Sequence, residues 1–129
     1  MRRVVLDASA VLALILDEPG AGAVRVALQR GAVMSTVNLA EVAARLRESD
    51  WPTGKIEANV ARLNVAVIPL GRRTALMSGD LRPVTRRWGL GLGDRSCLAL
   101  AQELGLPAVT ADRVWGRLHI AGIEVRLIR

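Results

Sequence analysis

The chain has 129 residues, of which 51% are hydrophobic and 2% aromatic, with a mean hydropathy of +0.30. That length fits one domain over 1–129, and the apolar content excludes a disordered chain and suggests that a partner covers part of the surface. The net charge of +6 and pI near 11.3, carried by arginine with Lys55 as the only lysine, fit a polyanionic partner, and an arginine-preferring genome explains them equally well.

Val4-Val5-Leu6 is a short β-branched run that predicts a strand buried on both faces. Asp7 ends that run too early for the roughly 7–15-residue apolar core of a secretory signal, so a cytoplasmic location is expected. From Ser9, an apolar stretch to Asp17 predicts a helix closed by Pro19-Gly20. Its run Ala10–Leu16, the longest wholly apolar one, is far short of the roughly 20 residues that cross a bilayer, so no membrane is expected. A second helix is predicted over Ala21–Arg30, closed by Gly31, and a second strand over Ala32–Thr36. Asn38-Leu39-Ala40-Glu41 has the form of a capping box, which predicts a helix opened by Asn38 and reaching Ser49.

Trp51-Pro52-Thr53-Gly54 reads as a turn, followed by a helix to Leu63 and a strand over Val65–Ile68. Arg72–Trp88 reads as a helix that Pro83 kinks or breaks. Gly89–Gly93 is a glycine-rich loop leading into a helix over Asp94–Leu104, and it lacks the preceding strand that a dinucleotide-binding loop requires. Ala108–Thr110 predicts a strand, Asp112 the start of a short helix, and Glu124–Ile128 the last strand. Strands and helices alternate throughout. The expected fold class is therefore α/β, a three-layer α/β/α sandwich with a central, mostly parallel sheet.

Ligands in such a sheet sit beyond the carboxyl ends of the strands, where this sequence repeatedly places acids. Asp7 ends the first strand, Glu41 follows the second, and Asp112 follows Ala108–Thr110 by one residue. Each also suits a helix N-terminus, where acids cap and complement the dipole. Asp94 heads the apolar stripe Cys97, Leu98, Ala101 and Leu104, where a carboxylate is costly unless paired or bound to a cation. Arg95 points away from it by helical phase. Glu41 lies opposite the apolar face of Leu39, Val42, Ala43 and Leu46, so periodicity gives it no place in a site. Gathered acids with one histidine and no cysteine pair form an oxygen-rich set suited to Mg²⁺ or Mn²⁺ rather than zinc. Such a set activates water against phosphoryl groups.

Val-Val-Leu-Asp-Ala-Ser at residues 4–9, Ser35–Val42, Gly89–Ala101 and Thr110-Ala111-Asp112 with Trp115, in that order along nearly the whole chain, resemble the PIN-domain family. More narrowly they are similar to the VapC-type toxins of bacterial toxin–antitoxin systems. The resemblance implies an Mg²⁺- or Mn²⁺-dependent endoribonuclease, usually a homodimer, held inactive by a small antitoxin and leaving a 5′-phosphate and a 3′-hydroxyl. Asp7, Glu41, Asp94 and Asp112 match the family's metal-binding acids, and Ser9, Asn38 and Thr110 match its supporting polar positions. Gly91 stands where relatives often carry serine.

Arg82, Arg86 and Arg87, on one side of the predicted helix, and Arg113 are candidates for gripping RNA, against the alternative of a solvated face. Arg45, Arg72, Arg73 and Arg117 carry the same two readings. His119 reads as a surface residue and Cys97 as a small core residue. Trp115 is expected to pack on the sheet beside Asp112, while Trp51 and Trp88 lie at element ends. A PIN-type nuclease of general RNA processing and a non-catalytic binding module of the same fold are the alternatives; the module predicts a lost acid, and none is missing. An aspartyl-phosphate enzyme built on Asp7 is disfavoured, because Ser9 stands where the second aspartate belongs.

Overall fold

In a computed structural model, which describes residues 3–129, the chain forms β1 (Val4–Leu6), α1 (Ala8–Ile15), α2 (Ala21–Arg30), β2 (Ala32–Ser35), α3 (Thr36–Glu48), α4 (Thr53–Arg62) and β3 (Val65–Ile68). There follow α5 (Arg72–Asp80), α6 (Arg82–Thr85), a 3₁₀ turn (Arg86–Trp88), α7 (Leu92–Leu104), β4 (Ala108–Thr110), a second 3₁₀ turn (Arg113–Arg117) and β5 (Val125–Leu127). The strands form one five-stranded sheet of order β3-β2-β1-β4-β5, and every pairing is parallel.

Alternation along the strands sorts the apolar side chains into two layers. Val4 and Leu6 of β1, Ala32 and Met34 of β2 and Val109 of β4 join Val11, Val24, Leu28, Val42, Leu46 and Ile56 on one face. Val5, Val33 and Ala108 join Cys97–Ala101, Leu81, Leu90 and Trp115 on the other. The result is the expected α/β/α sandwich. Its central helix, α7, is buried continuously from Ser96 to Ala101, whereas Leu104, at the end of the predicted stripe, is 42% exposed. No described helix is long and apolar enough to cross a membrane.

Two local expectations are corrected. Asn38 does not open α3: the helix follows β2 without a loop, and Ser35 caps it by accepting from the Val37 N–H at 3.1 Å. Asn38 instead sits buried inside the first turns. The stretch Arg72–Trp88 is broken near Pro83, as expected, into three segments parted first at Leu81, and what is corrected is the single helical face expected for Arg82, Arg86 and Arg87. Pro83 has no N–H to donate to the carbonyl of Gly79 one turn back, so the chain restarts as α6 with proline in its first turn. Arg82 therefore lies in α6, while Arg86 and Arg87 lie in the following 3₁₀ turn rather than on one shared helical face.

Gly20, at a φ of 95°, admits the end of the chain: a side chain there would overlap Ile128, including its backbone carbonyl. The αL backbone and the close approach both select glycine.

The chain moves from β1 outward through β2 to β3, then crosses back to lay β4 on the other side of β1. The carboxyl ends of β1 and β4 thus flank the point where the sheet reverses its order, the place where parallel sheets open a crevice.

Candidate functional site

Asp7 follows β1 in an extended backbone and caps α1, accepting from the Ala10 N–H at 3.0 Å. The same oxygen accepts from the Ser9 hydroxyl at 2.7 Å, and the other accepts from the Thr110 hydroxyl at 2.8 Å. Each hydroxyl has one proton and spends it on Asp7, so the 3.2 Å contact between Ser9 and Thr110 carries none. Both hydroxyls in turn accept from backbone: Ser9 from the Ala111 N–H at 2.9 Å and Thr110 from the Asp112 N–H at 3.0 Å. Two backbone N–H groups beyond β4 thereby polarise the two hydroxyls that hold the carboxylate beyond β1. Burial nevertheless pushes the Asp7 carboxyl up to about 6, against the pull of Ser9, Ala10 and Thr110 and with a further push from the charge of Asp94.

Glu41 reaches the site from α3 by a route its helical phase does not reveal. Asn38 donates one amide nitrogen to both Glu41 Oε1, at 2.9 Å, and the Gly93 carbonyl, at 3.0 Å. That nitrogen ties α3 to the first turn of α7. The Glu41 carboxylate fills the space in which Gly93 would carry a side chain; a methyl there would overlap both carboxylate oxygens. The Glu41 pKa is raised, by burial first and by the charge of Asp94, with Asn38 opposing. Asn38 Oδ1 is buried without a partner among the described residues, which leaves an acceptor free beside Glu41.

Asp94, in the first turn of α7, accepts from the Gly91 N–H at 3.0 Å. Burial raises its pKa, and the charge of Asp112 adds to the rise, while the Gly91 N–H and the nearby Arg95 lower it. Arg95 is turned away, toward α5, where it donates to the Ser78 carbonyl at 3.3 Å. Asp112 is exposed and caps the 3₁₀ turn after β4, accepting from the Val114 N–H at 3.0 Å. The four acids thus meet electrostatically around Asp94, which acts on Asp7 and Glu41 and is acted on by Asp112. Cys97, fully buried one turn along α7, has its thiol pushed well up by burial and then by Asp7, Asp94 and Glu41.

The donor set is all oxygen, as a hard divalent cation requires. No three of the acidic, histidine or cysteine side chains among the described residues are gathered tightly enough to hold a metal ion as they stand. The fit rests on chemistry: three carboxyls with raised pKa, held by backbone, hydroxyl and amide donors while the charge of Asp94 opposes the other two, are a state that a cation relieves.

The remaining candidates scatter. Arg82, Arg86, Arg87 and Arg113 are exposed, and Arg113 makes only a long 3.5 Å bond to the Arg129 carbonyl. His119 is exposed, Trp115 is fully buried, and Trp51 carries the Lys55 ammonium 3.9 Å from its ring centroid. Gly93 is the residue that sequence reasoning missed. Its signal was a glycine inside a helical turn with no need for a positive φ, which marks a close approach rather than a bend.

Residues 4–120 match the family model for the PIN domain. No curated protein matches the chain by sequence. Among solved structures, the DNA-bound VapBC of Salmonella typhimurium is similar at a TM-score of 0.70 and 19% identity over 100% of both chains. VapBC-5 of Mycobacterium tuberculosis, a member of the VapBC family of toxin–antitoxin systems, is similar at 0.61 and 24% identity over 98% of this chain and 99% of that one. VapC20 of Mycobacterium tuberculosis, a sarcin–ricin loop cleaving toxin, is similar at 0.63 and 15% identity over 84% and 89%. At these identities the likeness is one of fold. With the family model spanning all but the ends of the sequence, the chain belongs to the PIN-domain family.

Proposed function

We propose that the chain is a metal-dependent endoribonuclease, using Mg²⁺ or Mn²⁺, and the toxin of a toxin–antitoxin pair. The observation that carries the nuclease reading is that Thr110 ties Asp7 to the Asp112 backbone, while Glu41 packs on Gly93 beside Asp94, so that four acids from four elements lie at the reversal point of the sheet. The toxin reading is supported by the fold-level likeness to VapBC proteins over nearly full length.

On this reading Asp7, Asp94 and Asp112 would hold the metal, and Glu41 would position a second ion or a water. A bound divalent cation supplies Lewis acidity to the phosphodiester and to water. The chain's own part is to keep the carboxylates in place. Ser9, the Ala10 N–H and Thr110 support the ionised form of Asp7 against its burial. Asn38 holds Glu41 against Gly93, and the Gly91 N–H fixes the rotamer of Asp94. Arg82, Arg86, Arg87 and Arg113 are the proposed contacts to the RNA backbone, and the basic net charge draws the polyanion toward the acids. A homodimer, a small antitoxin as partner and a cytoplasmic location belong to the same reading.

Purified protein is expected to cleave RNA with Mg²⁺ or Mn²⁺ and to stop in EDTA. Asp94→Asn is expected to abolish cleavage with an unchanged circular dichroism spectrum. Equal cleavage by wild type and Asp94→Asn overturns the metal-site reading. Cleavage without growth arrest on induced expression moves the chain from toxin to general RNA processing.

A further inference from the structure

Trp88 is half-buried against the apolar layer beneath α7, and two exposed arginines lie over its ring. The Arg87 guanidinium carbon is 4.5 Å from the ring centroid, and that of Arg117 is 5.8 Å away. Both distances fall within the roughly 6 Å reach of a cation–π contact. Neither arginine forms an ion pair among the described residues. A guanidinium laid over an aromatic ring keeps its N–H edge free, and that planar fork matches a phosphate.

The two arginines lie next to two of the four segments that bear acids. Arg87 and Trp88 close the 3₁₀ turn that leads through Gly89–Gly91 into the first turn of α7, which carries Asp94. Arg117 ends the 3₁₀ turn capped by Asp112; at about 2.0 Å per residue it stands roughly 10 Å from that acid. The stack therefore joins the approach to Asp94 with the exit from Asp112.

We infer that Arg87 and Arg117, oriented by Trp88, form a phosphate-binding clamp for single-stranded RNA beside the acidic crevice. The inference rests on the nuclease reading and assigns its substrate backbone a specific seat. Arg117 stands in it as a contact residue, and Trp88 as the residue that positions both guanidiniums. Trp88 is half-buried and its ring is covered by the two guanidiniums, so it is not an open stacking platform for a base.

The test is binding of a short fluorescein-labelled single-stranded RNA of mixed sequence, in EDTA, read by anisotropy over a series of salt concentrations. Arg87→Gln and Arg117→Gln are each expected to weaken binding by roughly three- to tenfold and to reduce the slope of log affinity against log salt by about 0.7. Trp88→Leu, checked for folding by circular dichroism, is expected to weaken binding although the net charge is unchanged. Arg25→Gln, on the opposite face in α2, is expected to bind as wild type does. Unchanged affinity in both clamp variants, an equal loss in Arg25→Gln, or equal affinity for polyglutamate overturns the clamp. Wild-type affinity in folded Trp88→Leu overturns the orienting role of the ring. Failure of the nuclease reading shows separately, as RNA that is bound but left uncut when Mg²⁺ or Mn²⁺ is added.

Discussion

Thr110 and Asp7 stand 103 residues apart in sequence and 2.8 Å apart in the fold, joined by a hydrogen bond between the ends of β4 and β1. Thr110→Val keeps the shape and removes the hydroxyl. Asp7 then loses a donor and the Asp112 N–H loses its acceptor. The variant is expected to be less stable by about 1–3 kcal/mol in urea denaturation. With its ionised form less supported, Asp7 should titrate higher, and the cleavage–pH profile should move upward in pH.

Gly93→Ala separates folding from function. The added methyl meets the far end of the flexible Glu41 side chain and not a backbone atom. Glu41 is expected to swing aside, with little change in melting temperature, since alanine is favoured over glycine in a helix by up to about 1 kcal/mol. RNA cleavage is expected to fall at least about tenfold, by analogy with the loss of a positioned catalytic group. Unchanged cleavage in a folded Gly93→Ala protein removes Glu41 from the site.

Asp7 gives the metal-free protein a definite dependence on pH. The folded chain keeps the Asp7 proton up to about 6, whereas the ordinary value is 3.8. Between those values the folded state binds more protons than the unfolded state, so stability falls as pH rises through the window. The loss from this group is on the order of 3 kcal/mol when complete. Glu41 and Asp94, whose pKa values are also raised, act in the same direction. Urea denaturation in EDTA at several pH values checks this, and Asp7→Asn should remove its share of the slope.

Divalent cations should reverse that penalty. Adding Mg²⁺ or Mn²⁺ at neutral pH is expected to raise the melting temperature of the wild type, because a ligand that binds only the folded state stabilises it. Asp7→Asn and Asp94→Asn should show a smaller rise. A rise of equal size in wild type and both variants places the bound ion elsewhere.

Trp115 is fully buried in the layer beneath the sheet, close in sequence to Asp112. Trp115→Ala is expected to cost about 3–5 kcal/mol through the cavity it leaves. Trp115→Phe should cost much less, because the indole N–H has no partner among the described residues to lose.

Much of the architecture is legible in local pattern. Val4-Val5-Leu6 and Ala108–Thr110 are short, mostly apolar runs with no alternation, as strands covered on both faces must be; Asp7 follows the first directly and Asp112 follows the second after Ala111. The rest depends on contacts between distant residues. Asn38 resembles a cap because its spacing to Glu41 fits a capping box, yet Ser35 caps the helix and Asn38 spends its amide on Gly93, 55 residues away. Glu41 is turned from the apolar face of its own helix, and helical phase says nothing about a second helix that meets the other side. The break at Leu81 falls two residues ahead of Pro83, because the missing hydrogen bond lies one turn back. The pairing of Arg87 and Arg117 over Trp88 joins two turns that no periodicity connects.

β1 lies at the centre of the sheet, and its second neighbour, β4, is made only after β2 and β3. Asp7 lacks its Thr110 donor, and the crevice one of its walls, until more than a hundred further residues have been made. A partial chain that ends before β4 has three of the four acids and only half of the frame that aligns them. The order of synthesis thus leaves the alignment of the acidic centre among the later contacts to form, because it waits for β4 to be laid beside β1.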